Sequence, residues 1–437
     1  MSPQMAGESE AMVVLQERRV ALTGIGVLAP GGIGRKAYWD LLTAGRTATR
    51  RLSHFDPSPC RSKIAGECDF DPLAHQLSPQ EVRRLDRAAQ FAVVAAREAI
   101  TDAGLEDCDT AALRRGVSLG CAVGTTTSLE REYVVSSNAG RQWLVDQAYA
   151  VPQLYDYFIP SSMAGELARE IGARGPVSLV STGCTSGIDA VGNGFDLIRE
   201  GACDIVLAGG TEAPLSPITY ACFDAIRATC PRNDDPEHAS RPFDRTRNGL
   251  VLAEGCAVVV LEEYEHARRR GAPMYAEVTG HAMRCNAYHM TGLTDGGEEM
   301  ATAIAAALDQ SRLNPDEVAY VNAHGSSTKQ NDRHETAAFK RSLGEHAYRV
   351  PVSSIKSMIG HSLGAIGALE VAACALAIDD GVIPPTANLH EPDPECDLDY
   401  VPITAREQPV DVVVSVGSGF GGFQSAIVLT APDRVPR

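Results

Sequence analysis

Apolar residues along the chain gather into short unbroken runs, separated by longer stretches with helical spacing. The runs cover 19–23, 117–120, 177–181, 205–208, 257–261, 318–322, 350–354 and 412–416, and many of their residues are β-branched. Such runs suit strands buried on both faces, and their alternation with helical segments predicts a layered α/β fold.

One unit occurs twice. Residues 176–181 predict a strand, then a Gly-Cys turn and a helix over 187–200. In that helix Ile188, Val191, Phe195 and Ile198 share a face, while Ala190, Gly192 and Gly194 admit close neighbours. Residues 350–354 predict a second strand, then a Gly-His turn and a helix over 362–378. This helix is apolar nearly all round, the pattern of one buried between layers. The repetition predicts a duplicated architecture with the site between two similar halves, 19–265 and 266–437, behind an N-terminal tail at 1–18. Charged residues 264–271 mark the boundary.

Charge narrows the function. The 437 residues carry a formal net charge of −17, which opposes binding to nucleic acid phosphates or to anionic membranes. The first residues hold Glu8, Glu10 and Glu17 and no export pattern. The apolar stretch 363–378 is too short to span a bilayer and is interrupted by Glu370. A cytoplasmic location is expected. Twelve cysteines include no Cys-x-x-Cys pair, the closest being Cys60/Cys68 and Cys222/Cys230. No metal site is expected, and every cysteine except Cys184 is expected to be a small core hydrophobe.

Cys184 lies in Ser181-Thr182-Gly183-Cys184-Thr185-Ser186-Gly187, between a buried strand and a helix. Flanking glycines permit a turn that projects the thiol. A helix N-terminus there favours thiolate and offers amides to a carbonyl oxygen that becomes negative. The bland alternative is a core cysteine at a strand end. His324 ends the run 318–323, and His361 opens the second buried helix. Two histidines in strand-end turns beside small residues suit a site, whereas His54, His75, His238 and His346 are read as structural. Lys356, five positions before His361, needs a carboxylate if buried, and Glu335 or Asp332 could supply it; a solvated charge cluster is the alternative.

Val416-Gly417-Ser418-Gly419-Phe420-Gly421-Gly422-Phe423 predicts a glycine loop between two strands. Gly419 and Gly421 allow close backbone approach to a ligand, and Phe420 between them looks able to swing. The alternative is a plain turn. No helix follows to bind a nucleotide phosphate. Gly24-Ile25-Gly26-Val27-Leu28-Ala29 matches a dinucleotide fingerprint in letters, but Pro30, Gly31 and Gly32 interrupt any helix. Gly360-His361-Ser362-Leu363-Gly364 matches a hydrolase elbow, but its strand ends several residues early, and Ser362 stands as a minor rival nucleophile.

Together these segments resemble the β-ketoacyl synthase family of thiolase-fold condensing enzymes, from about Arg19 to Leu429. They are most similar to the ketosynthase-alpha subunits of bacterial aromatic (type II) polyketide synthases. The finer likeness rests on GRTATRRLSHFDP (45–57), VSTGCTSG (180–187), NDDPEHASRPFD (233–244), KQNDRHETAAFK (329–340) and GSGFGGFQSA (417–426). The resemblance implies a thiolase-like duplicated α-β-α-β-α fold. It implies Cys184 as the acyl-carrying nucleophile and His324 and His361 as the pair that bind the malonyl thioester and promote decarboxylation. Lys356 and Glu335 would form a supporting ion pair with Asp332 nearby, and Ser326 and Thr328 would touch the phosphopantetheine arm. Phe420 would be a gate, its N–H and that of Cys184 forming the oxyanion hole.

No tightly bound cofactor is implied, since substrates arrive on an acyl carrier protein. The partner implied is a homologous chain-length factor in a heterodimer. Carrier docking would need a basic patch such as Arg268-Arg269-Arg270 or Arg83-Arg84. A fatty-acid elongating synthase and a non-catalytic chain-length-factor-like subunit are the alternatives. A thiolase or initiating synthase shares the fold, but the initiating class carries asparagine where His361 stands.

Overall fold

The computed structural model describes residues 17–107, 109–142 and 147–434. The expected tail lies almost wholly outside them. Ten strands form one continuous path. In chain order they are β1 (Val20–Ala29), β2 (Arg115–Gly120), β3 (Val177–Val180), β4 (Ile205–Glu212), β5 (Gly255–Glu263), β6 (Ala276–Cys285), β7 (Tyr320–Asn322), β8 (Val352–Ser353), β9 (Val412–Gly419) and β10 (Phe423–Thr430).

Their spatial order is β8-β7-β9-β10-β6-β1-β5-β4-β2-β3. Within each half the order is the same: third, second, fourth, fifth, first. The directions repeat too. β2 runs parallel to β3 and β4, and β7 runs parallel to β8 and β9; the remaining pairs within each half are antiparallel. The halves join where Val20, Ala21 and Leu22 of β1 pair with Val278, Glu277 and Ala276 of β6.

Outer helices α1 (Arg87–Asp102) and α3 (Glu298–Gln310), with α4 (Lys329–Leu343) beside the latter, cover the outside. Two central helices, α2 (Ser186–Arg199) and α5 (Ile366–Asp380), touch strands of both halves. The result is the duplication that the repeated unit predicts, in the α-β-α-β-α arrangement that the resemblance implies. The central helices cross at their starts, where glycine is required. A Cβ on Gly187 would sit 2.6 Å from the Ala368 nitrogen, and one on Gly367 would sit 2.7 Å from the Ile188 nitrogen. α5 is buried from Ile366 to Ala377, as its all-round apolar pattern predicts.

Several expectations change. The glycines of the fingerprint-like run lie inside β1, where Cβ atoms on Gly24 and Gly26 would fall 2.3 and 1.9 Å from carbonyl oxygens of α1. They serve helix-on-strand packing. β6 was absent from the apolar runs because polar Glu277, Thr279 and His281 alternate with its core residues. The cysteines are not all interior: Cys222 and Cys285 are exposed and Cys60 is half-buried, while Cys108 lies outside the described residues.

Candidate active site

Each central helix opens with a tight turn. Gly183–Thr185 leads into α2, and Leu363–Ala365 leads into α5. Gly183 adopts φ 64°, which lets the chain leave β3 and place Cys184 at the helix tip. The hairpin of β9 and β10 closes over this turn. Its strands pair through Gly419 and Phe423, so the expected glycine loop shrinks to residues 420–422. A Cβ on Gly417 would meet the Thr185 side chain at 3.1 Å, and one on Gly419 would lie 3.3 Å from the Cys184 nitrogen. Only glycine backbone comes this close, and it brings the Phe420 N–H onto the Cys184 sulfur.

His324 follows β7 and His361 precedes the α5 turn. Their rings stand 5.2 Å apart between centroids at 78°. Both line, with Cys184 and Phe420, a cavity of about 390 Å³. Ser326, Thr328 and Gly419 line it as well, whereas Gly421 does not. Gly421 instead takes φ 93° in the hairpin turn and donates its N–H to the Met290 carbonyl. The Ser326 and Thr328 hydroxyls are 2.9 Å apart, and Thr328 also caps α4.

Burial sets the electrostatics. It holds both imidazoles well below their ordinary range, with Lys356 adding to the effect at each and His361 adding at His324. Both rings are therefore neutral at working pH. The Leu363 N–H donates to His361 Nδ1 at 3.2 Å, which places that ring's proton on Nε2. The thiol departs from expectation. Burial pushes Cys184 up to about 12, against the pull of Lys356 and the Phe420 amide. At rest Cys184 is a thiol, and the amides at the helix tip are placed to act on negative charge that forms beside it.

The expected ion pair is also corrected. Lys356 is buried, so the solvated alternative fails, but its partner is Glu370 of α5; its Nζ also donates to the His324 carbonyl at 2.5 Å. Glu335 instead accepts the N–H groups of His324 and Gly325. Burial raises Glu335 to about 8, with Asp332 adding to the rise and the two amides and Lys356 opposing it. Asp332 pairs with Arg247 at 3.1 Å and accepts the Phe243 N–H. Glu335 thus fixes the loop that carries His324, while Asp332 anchors Arg247 and the Phe243 backbone beside it. The signal for Glu370 was its place as the single carboxylate within the apolar stretch 366–377.

Sequence reasoning also missed Asp189 and His281. Asp189 Oδ2 accepts the hydroxyls of Thr182 and Thr185 on either side of Cys184, and its Oδ1 lies 3.2 Å from His281 Nε2. The rival Ser362 is buried, its Oγ has no partner among the described residues, and it does not line the cavity. The helical turn Lys356–Ile359 separates it from β8, so no strand runs into an elbow. The two candidate basic patches are largely neutralised: Arg84 pairs with Glu166, Arg268 with Glu265 and Arg270 with Glu262. Exposed Arg227 and Lys329 line the cavity mouth instead.

Comparison with known proteins agrees with this geometry. The β-ketoacyl synthase N-terminal domain matches residues 17–267, and the C-terminal domain matches residues 275–390. The tetracenomycin polyketide synthase ketoacyl synthase alpha subunit of Streptomyces glaucescens is 67% identical, over 96% of this chain and 98% of its own. One similar solved structure is a type II polyketide synthase acyl-carrier protein in complex with its ketosynthase bound to the hexaketide. It has a TM-score of 0.89 at 38% identity and covers 95% of this chain and 100% of its own. Another, the ishigamide ketosynthase/chain length factor, has a TM-score of 0.87 at 35% identity over 95% and 100% of the two chains. Two family domains that together span most of the chain, and a cysteine and two histidines around one cavity, place this protein in the β-ketoacyl synthase family, the thiolase-fold acyltransferases.

Proposed function

We propose that the chain is the ketosynthase-alpha subunit of a bacterial aromatic polyketide synthase. It extends a poly-β-ketone by decarboxylative Claisen condensation with malonyl-acyl carrier protein. The observation that carries this reading is the shared cavity of a helix-tip thiol and two neutral imidazoles. Relatives named as polyketide synthase subunits favour it over a fatty-acid elongating role. The presence of Cys184 opposes a non-catalytic role.

The chemistry follows from the groups present. The Cys184 sulfur attacks the acyl thioester on the carrier; a new C–S bond forms, and the carrier's sulfur leaves with the thiol proton. Malonyl carrier then enters, its thioester oxygen taking hydrogen bonds from His361 Nε2–H and from His324. The bond to the carboxylate breaks, carbon dioxide leaves, and its electron pair passes into an enolate held by those donors. The enolate carbon attacks the Cys184 thioester. The tetrahedral oxyanion sits against the Cys184 and Phe420 N–H groups, and the sulfur departs to be reprotonated as thiol. Lys356, paired with Glu370, and Glu335 hold the His324 loop, and Asp332 supports it from the Arg247 side.

Ser326, Thr328 and Gly419 contact the phosphopantetheine arm, and Phe420 gates the cavity. Arg227 and Lys329 at the mouth suit an acidic carrier. A homologous chain-length factor pairs with the free edge of β3, whose Val177 is exposed. Among the described residues no helix is long and apolar enough to cross a membrane. The chain divides into halves 19–265 and 266–437 between β5 and β6.

In the complex with partner and carrier, Cys184→Ala abolishes full-length product and leaves malonyl decarboxylation in place. Full-length product from this variant, read by mass spectrometry, would overturn the reading.

A further inference from the structure

The duplication pairs the reactive turn with a second one. Gly183–Thr185 and Leu363–Ala365 open the two central helices, and each begins with a left-handed residue, Gly183 at φ 64° and Leu363 at φ 45°. Gly364 therefore occupies the place that Cys184 holds in the other half. The fourth strand of each half ends on the turn of the opposite one. In β9, Gly417 lies against Thr185 and Gly419 against Cys184; in β4, Gly210 lies against Ala365 and Glu212 reaches Gly364.

At the reactive turn the glycine leaves room for a carbonyl oxygen. At its mate the equivalent space is filled by the Glu212 carboxylate. Glu212 accepts the N–H groups of Ala122 at 2.7 Å, Gly364 at 3.0 Å and Val123 at 3.2 Å, and the Cys121 thiol at 3.1 Å. It is fully buried, and no step of the condensation uses it. A Cβ on Gly364 would come 2.7 Å from a Glu212 oxygen, which explains the glycine.

We propose that Glu212 is a positioning residue for His361. Its side chain occupies the turn related to the Cys184 turn and accepts the Gly364 N–H, and so holds the backbone that follows His361. The residue it grips, Gly364, adjoins Leu363, whose N–H sets the His361 tautomer. Glu212 thereby supports decarboxylation, while toward Cys184 its charge only opposes the thiolate. The inference rests on the proposed role of His361.

The test uses the full complex with partner and carrier. Glu212→Gln keeps the volume and one acceptor oxygen but turns an N–H donor toward a backbone amide. The account expects malonyl decarboxylation to lose about tenfold or more in kcat with little change in KM, as misplaced catalytic groups do. Iodoacetamide alkylation of Cys184 stays at least as fast as in the parent. Unchanged decarboxylation, or decarboxylation and alkylation falling together, overturns the proposal. Glu212→Asp, which keeps the charge but withdraws it by one methylene, is measured alongside and shows an intermediate loss; a soluble Asp variant with parental decarboxylation also overturns it. His361→Ala separates the two readings, because full condensation in that variant defeats the role of His361 itself, whatever Glu212 does.

Discussion

Burial decides the protonation of the three side chains proposed to react. It keeps Cys184 a thiol and both imidazoles neutral, the forms needed for a nucleophile that sheds its proton only on attack and for ring N–H donors. The pH dependence follows with a definite sign. In the unfolded chain each ring titrates near its ordinary 6.5, and in the folded chain it stays neutral well below that. The stability tied to this neutrality is fully present above 6.5 and is lost as pH falls, at about 1.4 kcal/mol per ring per pH unit. Over the same range decarboxylation does not lose its donors. A pH profile of kcat/KM for malonyl decarboxylation therefore shows no imidazole step near pH 6.5, while the denaturant midpoint declines below it. At this scale Cys184, His324, His361 and Phe420 were legible because small residues around each announce a tight turn. The partner of Lys356 was not. Glu335 and Asp332 stand near it in pattern, but the carboxylate that reaches the ammonium comes from inside an apolar helix, a contact set by packing.

The elements show why glycine patterns mislead when read alone. Gly24 and Gly26 match a dinucleotide fingerprint in letters and turn out to be seats for α1, while Gly417 and Gly419 look like part of a glycine loop and are the strand floor against which the Cys184 turn rests. Gly187 is the sharpest case, since the α2–α5 crossing allows no side chain. Gly187→Val forces overpacking there and costs about 1–3 kcal/mol or more. Gly165, in the helix Ser162–Ile171, faces open space, so Gly165→Ala serves as the control and gains up to about 1 kcal/mol. Denaturant melts of the two variants, run side by side, show a falling and an unchanged or rising midpoint respectively. Strand recognition failed for a related reason. Buried strands announced themselves as apolar runs, but β6 alternates polar and apolar residues, and β8 is cut to Val352–Ser353 beside Pro351.

The whole molecule is two copies of one five-strand unit joined edge to edge, which the sequence shows only in its twin strand–turn–helix segments. The order of the strands could not be read, because pairing depends on long-range contacts that leave no local periodicity. The duplication puts both helix tips at the centre and, among the described residues, leaves β3 as a free edge, with Val177 exposed. An unpaired edge of this kind is a template for another chain. Val177→Lys is expected to reduce recovery of the proposed chain-length-factor partner in co-purification without changing Cys184 alkylation. The central claim, that the Cys184 sulfur carries the growing acyl chain, is tested most directly by peptide mass spectrometry of the complex after brief exposure to acyl-loaded carrier. The account predicts an acyl adduct on the peptide containing Cys184 that disappears when malonyl carrier is added. An adduct on another residue, or one on Cys184 that malonyl carrier cannot discharge, would contradict it.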